Sequence, residues 1–351
     1  EVRSGGRGQR RKSVGKLRCE LTGAEAAAVV NNNAAATMLA LSAMAEGREV
    51  IVSRGQFIEI GGSYRLPDVM ECSGAKLREV GTTNKTHLFD YQRAINEETG
   101  ALLKVHPSNF EVVGFTKTVS TKEMVALASE HDLPVIDDVG SGALIDFSEF
   151  GLMDEPVVSQ SIKDGADVVL FSGDKLIGGP QCGIIIGKRK YIDTILSNPL
   201  MRAMRVDKMT LAALSATLLI YRDENRARTE IPILRMLSMP KENLKLRAEK
   251  IVAQLSHLGE LEICEAVEAD SMLGGGSLPT QKLSTWCVAL TPKTQSVDRL
   301  AAGLRNGEPS VIGRVQKERF FLDMRTVQPS QDSGLVESIE AYCDESNSEA
   351  E

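Results

Sequence analysis

Short apolar runs alternate with longer amphipathic stretches through the first 220 residues. "EVIVS" (49–53), "KLREV" (76–80), "ALLKVH" (101–106), "LPVID" (133–137), "ADVVLFS" (166–172) and "GIIIG" (183–187) read as strands. Helical spacing fills several of the gaps, over 34–46, 88–97, 121–131 and 156–163. Thr121 with Glu123 marks a helix start, and Asp132 or Leu133 a stop. Strands alternating with helices predict a mainly parallel sheet covered on both faces. In such sheets functional groups gather at the carboxyl ends of the strands.

The pattern changes after Pro199. A long helical stretch is expected to about Arg222, and a second, highly charged one from about Lys241 to Leu258. "LEICEA", "TWCVAL", "PSVIGRV" and "RFFLDMRTV" then read as strands of a smaller α+β domain. The expected organisation is a basic segment over 1–18, a large domain over 19–230, a small C-terminal domain over 231–330 and an acidic, partly disordered tail over 331–351. A short helix after Gly334 is compatible with that tail.

Composition narrows the class. Ala, Val, Leu, Ile and Gly are plentiful and aromatics make up 4% of the chain, which suits α/β packing. A formal charge of −7 argues against non-specific coating of nucleic acid. Six scattered cysteines without a C-x-x-C pair read as cytoplasmic thiols rather than a disulfide framework or a zinc site, and no metal is expected. No apolar run is long enough for a membrane span.

The strand ends carry the candidate chemistry. "VIDDVGSG" puts Asp137 and Asp138 where one strand stops, and "LFSGDK" puts Ser172, Asp174 and Lys175 where another stops. "VVNNNAAATML" sets Asn31, Asn32 and Asn33 before a helix whose first turn is alanine, where a phosphate can approach free backbone amides. A lysine, a carboxylate and a phosphate cradle on one sheet edge are what pyridoxal phosphate requires: a Schiff base, a partner for the pyridinium nitrogen and an anion site. Asp137, the first carboxylate off its strand, is the expected pyridinium partner, with Asp138 the second choice. His106, in "VHPSN", either faces the cofactor or caps its strand. No G-x-G-x-x-G after a strand and no P-loop is present.

"ELTGAEAAAVVNNNAAATMLAL", "SRGQFIEIGGSYRLPDVM", "GTTNKTHLFDY", "VHPSNFEVVGFT", "IDDVGSG", "SGDKLIGGPQCGIIIG" and "NPLMRAMRVDKMTLAALSATL" together resemble the bacterial selenocysteine synthases, the L-seryl-tRNA(Sec) selenium transferases. "GGGSLP", "GEPSVIGRV" and "FFLDMRTV" continue the likeness, which spans roughly residues 5–330. The resemblance implies the aspartate-aminotransferase fold (fold type I) and pyridoxal 5'-phosphate held on Lys175. It also implies a selenophosphate site at Arg202 and Arg205, which three-residue spacing would put on one face of the expected helix, with Lys208 extending the stripe. The implied reaction converts seryl-tRNA(Sec) to selenocysteinyl-tRNA(Sec) through an aminoacrylyl intermediate, in the cytoplasm, on a homo-oligomer that in this family is a ring-like homodecamer built from dimers.

The family's N-terminal tRNA-recognising domain and its "HTNLGR"-type segment have no counterpart in these residues. The basic segment is therefore expected to be the exposed stump of a missing domain. Two alternatives follow: a pyridoxal-phosphate lyase acting on a free amino acid or amino sugar, or an inactive truncated homologue. Arg54, Arg314 and Arg325 are weaker candidates. A carboxylate-gripping role for Arg325 does not suit an esterified substrate, and an ion pair across the domain boundary accounts for it equally well.

Overall fold

The computed structural model describes Gly15 and residues 19–62, 64–274 and 277–348, with side chains as far as Asp344; residues 1–14 and 16–18 of the basic segment lie outside this range. Two compact units emerge. One comprises the chain to Ile233 together with Leu273–Gln281, and the other comprises Leu234–Met272 with the chain from Lys282 onward.

The large unit is built on seven strands: β1 (Ala26–Val30), β2 (Glu49–Ser53), β3 (Lys76–Val80), β4 (Thr99–Val105), β5 (Val135–Gly140), β6 (Val168–Ser172) and β7 (Gly183–Gly187). Their order across the sheet is β1-β7-β6-β5-β4-β2-β3. β7 runs antiparallel to both neighbours, and the other pairings are parallel. Successive side chains of a strand face opposite ways, so two apolar layers form. Val52, Leu103, Ile136 and Leu170 pack with Leu39 and Ala40 of helix α1 (Asn33–Ala45). On the other face, Ile51, Leu102 and Val135 pack with Met124 and Leu127 of helix α2 (Thr121–Ser129). β1, which the sequence pattern did not single out, reads "AAAVV" and is recruited to the sheet edge by pairing with β7.

The helix expected from Pro199 to about Arg222 is broken. A short helix spans Leu200–Ala203, and helix α3 begins only at Lys208 (Lys208–Ile220). Asp207 is the cause: its Oδ1 accepts from the amides of Met209 (2.6 Å) and Thr210 (3.0 Å), capping a new helix. Arg202, Arg205 and Lys208 therefore do not form a stripe on one helix.

In the small unit, strands β8 (Leu261–Ser271), β9 (Leu283–Pro292), β10 (Arg314–Gln316) and β11 (Arg319–Asp323) form an antiparallel sheet in the order β8-β9-β11-β10. Its apolar face packs on helices α4 (Lys241–Leu255), α5 (Val297–Asn306) and α6 (Asp332–Ser348). Helix α6 corrects the expectation of an acidic tail from 331. Leu335, Val336, Ile339 and Cys343 are buried on one face of it, while Glu337 and Asp344 are exposed. Arg325 is buried and donates to the carbonyls of Met236 (2.8 Å) and Ser284 (2.7 Å), so backbone oxygens rather than an ion pair between domains hold it.

Candidate active site at the strand ends

Helix α1 starts where its sequence said a phosphate could sit. Asn32 is the N-cap, its Oδ1 accepting from Ala35 N at 2.8 Å, and the alanines that follow keep the first turn bare. The first amides of a helix point outward with no partner of their own, a ready anion site. Gly183 lies directly beneath this turn. A Cβ built there would stand 2.1 Å from Asn32 O and 3.0 Å from Asn33 N, so only glycine lets strand β7 pass so close. Asn31 N is held by Met204 O at 3.0 Å, and a bridge between Val30 and Arg205 brings the backbone of the arginine segment to this turn. Arg202 and Arg205 are both exposed.

Ser172 is buried at the end of β6, and Lys175 follows three residues later, half-buried, in the turn leading to β7. Leu176 N reaches Ser141 O at 3.3 Å, which fastens the lysine's turn to the "GSG" turn after β5. The second glycine of that turn, Gly142, has φ +75° and packs against Phe171; a Cβ would meet its ring at 2.8 Å.

The two aspartates of β5 part company. Asp137 shares the face of Val135: its Oδ2 accepts from Thr121 Oγ1 (2.9 Å), which in turn accepts from Lys104 Nζ (2.9 Å), all on the α2 side. Asp138 shares the face of Ile136 and points to α1. Its Oδ1 accepts from Asn33 Nδ2 (2.8 Å) and Gly140 N (3.1 Å), and its Oδ2 from Thr37 Oγ1 (2.9 Å). Burial pushes the Asp138 carboxyl up to about 6, against the pull of these donors. Asp138, not the first choice Asp137, is the carboxylate on the same side of the sheet as the α1 start.

His106 directly follows β4, its amide donating to Asp138 O at 2.8 Å. Burial, and then the charge of Lys104, lower its imidazole to about 4, so the ring is neutral at pH 7. Beside it lies Glu155, a residue the sequence reading missed because a lone glutamate in "MDEPVV" carries no pattern. Ser141 Oγ donates to Glu155 Oε1, while Oε2 is buried with no hydrogen-bond partner, 3.9 Å from His106 Nε2. Burial raises this carboxyl to about 7.

Of the sequence candidates, Asn31–Asn33, Ser172, Lys175, Asp138 and His106 thus cluster on one sheet edge of the large unit. Arg54 is engaged by Glu79 at 2.9 Å on the surface, and Arg314 lies 3.6 Å from Asp323 in the small unit. Pyridoxal phosphate fits this edge on its own terms. Asn33 Oδ1 is buried without a partner, as Glu155 Oε2 is, which is the condition of a polar site that has a ligand still to take. A half-buried lysine, a buried carboxylate and an open helix end supply the rest.

Comparison with known proteins agrees with the geometry. The fold resembles that of D-glucosaminate-6-phosphate ammonia-lyase, with a TM-score of 0.65 at 21% identity over 97% of this chain and 88% of that one. The L-seryl-tRNA(Sec) selenium transferase of Maridesulfovibrio salexigens is 52% identical over 341 residues, 97% of this chain and 73% of that protein. That of Geobacter sulfurreducens is 51% identical over 340 residues, 97% of this chain and 74% of that protein. The L-seryl-tRNA selenium transferase family model matches residues 1–328. The fold is therefore the type I fold of pyridoxal-phosphate enzymes, and the chain belongs to the L-seryl-tRNA selenium transferase family.

Proposed function

We propose that this chain catalyses the pyridoxal-phosphate-dependent conversion of seryl-tRNA(Sec) to selenocysteinyl-tRNA(Sec), with selenophosphate as the selenium donor. The observation that carries the reading is the half-identity to named transferases along 97% of the chain, combined with Lys175, Asp138 and the α1 start on one edge. A lyase acting on a free amino acid or amino sugar is not favoured, because the half-identical relatives above are named as selenium transferases.

The residues divide the work as follows. Lys175 would hold the cofactor through Nζ, and as a free amine it would be the base for the proton on the seryl α-carbon. The α1 amides, with Asn31, Asn32 and Ser172, take the phosphate. Asp138, tied to Asn33 and Thr37, keeps a ring nitrogen protonated, which we assign to it in place of Asp137 because Asp137 is spent on Thr121 across the sheet. Bound pyridoxal phosphate would supply an electron sink at the α-carbon, the chemistry by which the β-hydroxyl is lost as water and selenium from selenophosphate is added, with phosphate released. Arg202 and Arg205, both exposed, the latter with its backbone bridged to Val30 just before α1, suit the oxygens of selenophosphate by paired hydrogen bonding. A substrate borne on tRNA puts the reaction in the cytoplasm, and we assign the working form to a homo-oligomer, as in the family's ring of dimers.

The test is reductive trapping. The chain incubated with pyridoxal phosphate and borohydride is expected to gain the mass of the reduced cofactor on the peptide containing Lys175, and to convert seryl-tRNA(Sec) when selenophosphate is added. Trapping on another lysine, or trapping on Lys175 without turnover of seryl-tRNA(Sec), refutes the assignment.

A further inference from the structure

A cavity of about 330 Å³ opens beyond His106, at the carboxyl ends of β2, β3 and β4. Its floor is Gln56, whose Oε1 accepts from Val105 N (3.1 Å), and Ser53, bonded to Thr86 through their hydroxyls (2.7 Å). Its wall is two loops braced against each other. Lys85 and Lys117 pair as a bridge, Thr86 N reaches Lys117 O (2.9 Å), and Asn84 Nδ2 donates to Phe115 O (2.7 Å). The far side is closed by residues 278–281, where Thr280 Oγ1 donates to Glu111 and Met153 N donates to Gln281 Oε1 (2.7 Å).

The cavity and the lysine site share a wall. His106 and Ser108 line the cavity; the former is bonded to Asp138 O, and Ser108 Oγ lies 3.6 Å from where a Cβ on Gly140 would stand. Any ester substrate of Lys175 has its alcohol part here or nearby, since the seryl α-carbon is three bonds from the sugar ring, a reach of roughly 4 Å.

We propose that this cavity is the subsite for the terminal nucleoside of the aminoacylated tRNA; the inference rests on the function assigned above. Its volume stands at the low end of small-molecule sites, roughly 300 Å³ and above, and so suits one nucleoside rather than an extended strand. The lining has the matching parts. Lys85 and Lys117 offer two cations to the phosphate that joins the last nucleotide to its neighbour. Pro107 and Phe110 give apolar surface to a base, and Gln56 and the threonines give amide and hydroxyl groups to its edges. Glu111 and Asp154, the two carboxylates of the lining, accept from ribose hydroxyls or an exocyclic amine. Selenophosphate alone would leave the apolar wall unused and would meet these carboxylates directly.

The probe is adenosine 5'-monophosphate, titrated calorimetrically into the cofactor-loaded protein and into the Lys85→Ala/Lys117→Ala variant. Saturable binding that weakens at least tenfold in the variant, together with a KM for seryl-tRNA raised at least tenfold and affected more than kcat, is the expected result. Lys85→Arg/Lys117→Arg keeps the charge and should restore most of the affinity, which separates recognition from misfolding. Nucleotide binding that is absent, or equal in all three proteins, overturns the proposal. So does loss of inorganic phosphate binding, with nucleotide binding intact, in the alanine variant. If the protein binds the nucleotide here but never turns over seryl-tRNA, the functional assignment fails while the subsite stands.

Discussion

Asn33 Nδ2 donates to Asp138 Oδ1 at 2.8 Å, joining the first turn of α1 to a strand residue 105 positions away. One bond thereby links the end proposed to take the phosphate to the carboxylate proposed for the pyridinium. Thr37, one turn further along α1, holds the second carboxylate oxygen, so the helix that offers its amides to an anion also orients the acid.

This separates the two aspartates experimentally. Asp138→Asn is expected to retain covalent cofactor on Lys175 but lose at least about 100-fold in kcat, since the amide cannot hold the ring nitrogen protonated. Asp137→Asn should stay within about tenfold of the parent, because it removes a contact to Thr121 on the other face. Steady-state rates with seryl-tRNA decide it, and equal losses would return Asp137 to the site.

Gly183→Ala tests the close pass beneath α1. A methyl 2.1 Å from Asn32 O must push the helix start away from the sheet, at a cost of about 1–3 kcal/mol or more. Thermal unfolding should show the destabilisation, and pyridoxal-phosphate titration of the folded variant should show weaker affinity by at least tenfold.

Glu155→Gln should change how stability depends on pH. The folded carboxyl titrates near 7 against an ordinary 4.5, so the folded state holds the extra proton between those values. The penalty is absent below pH 4.5, grows as pH rises and is complete above 7, up to roughly 3 kcal/mol. The glutamine variant lacks it. Denaturant unfolding at pH 5 and pH 8 should therefore show the variant gaining on the parent as pH rises. The neutral His106, whose lowered value costs stability as pH falls below 6.5, is common to both proteins in this comparison.

Arg202→Ala and Arg205→Ala should each raise the KM for selenophosphate by about tenfold or more, while release of the seryl hydroxyl in the absence of donor stays nearer the parent rate. Rapid-quench analysis of the tRNA-bound product distinguishes the two steps. A matching fall in both would place the arginines on the tRNA or the cofactor instead.

How much of this could be read beforehand follows from the range of each signal. Strand and helix alternation and the alanine turn after the asparagines are local patterns, and six of the seven main strands and the start of α1 were legible from them. Strand β1 was not, because "AAAVV" acquires its state only by pairing with β7. The break before α3 depended on Asp207 choosing to cap rather than continue, a choice settled when Arg205 joins Val30.

The choice between Asp137 and Asp138 needed the faces of the sheet. Adjacent residues of a strand point opposite ways, but β5 is apolar on both sides, so its own alternation could not say which side holds α1. Glu155 lay further still from any sequence signal. Burial raises its carboxyl against the pull of the Ser141 hydrogen bond, and burial is a property of the packed chain. The order of residue types along this chain determined which chemistry was available at the strand ends. Packing alone decided which carboxylate faces helix α1 and which proton each buried group keeps, because both depend on neighbours distant in the chain.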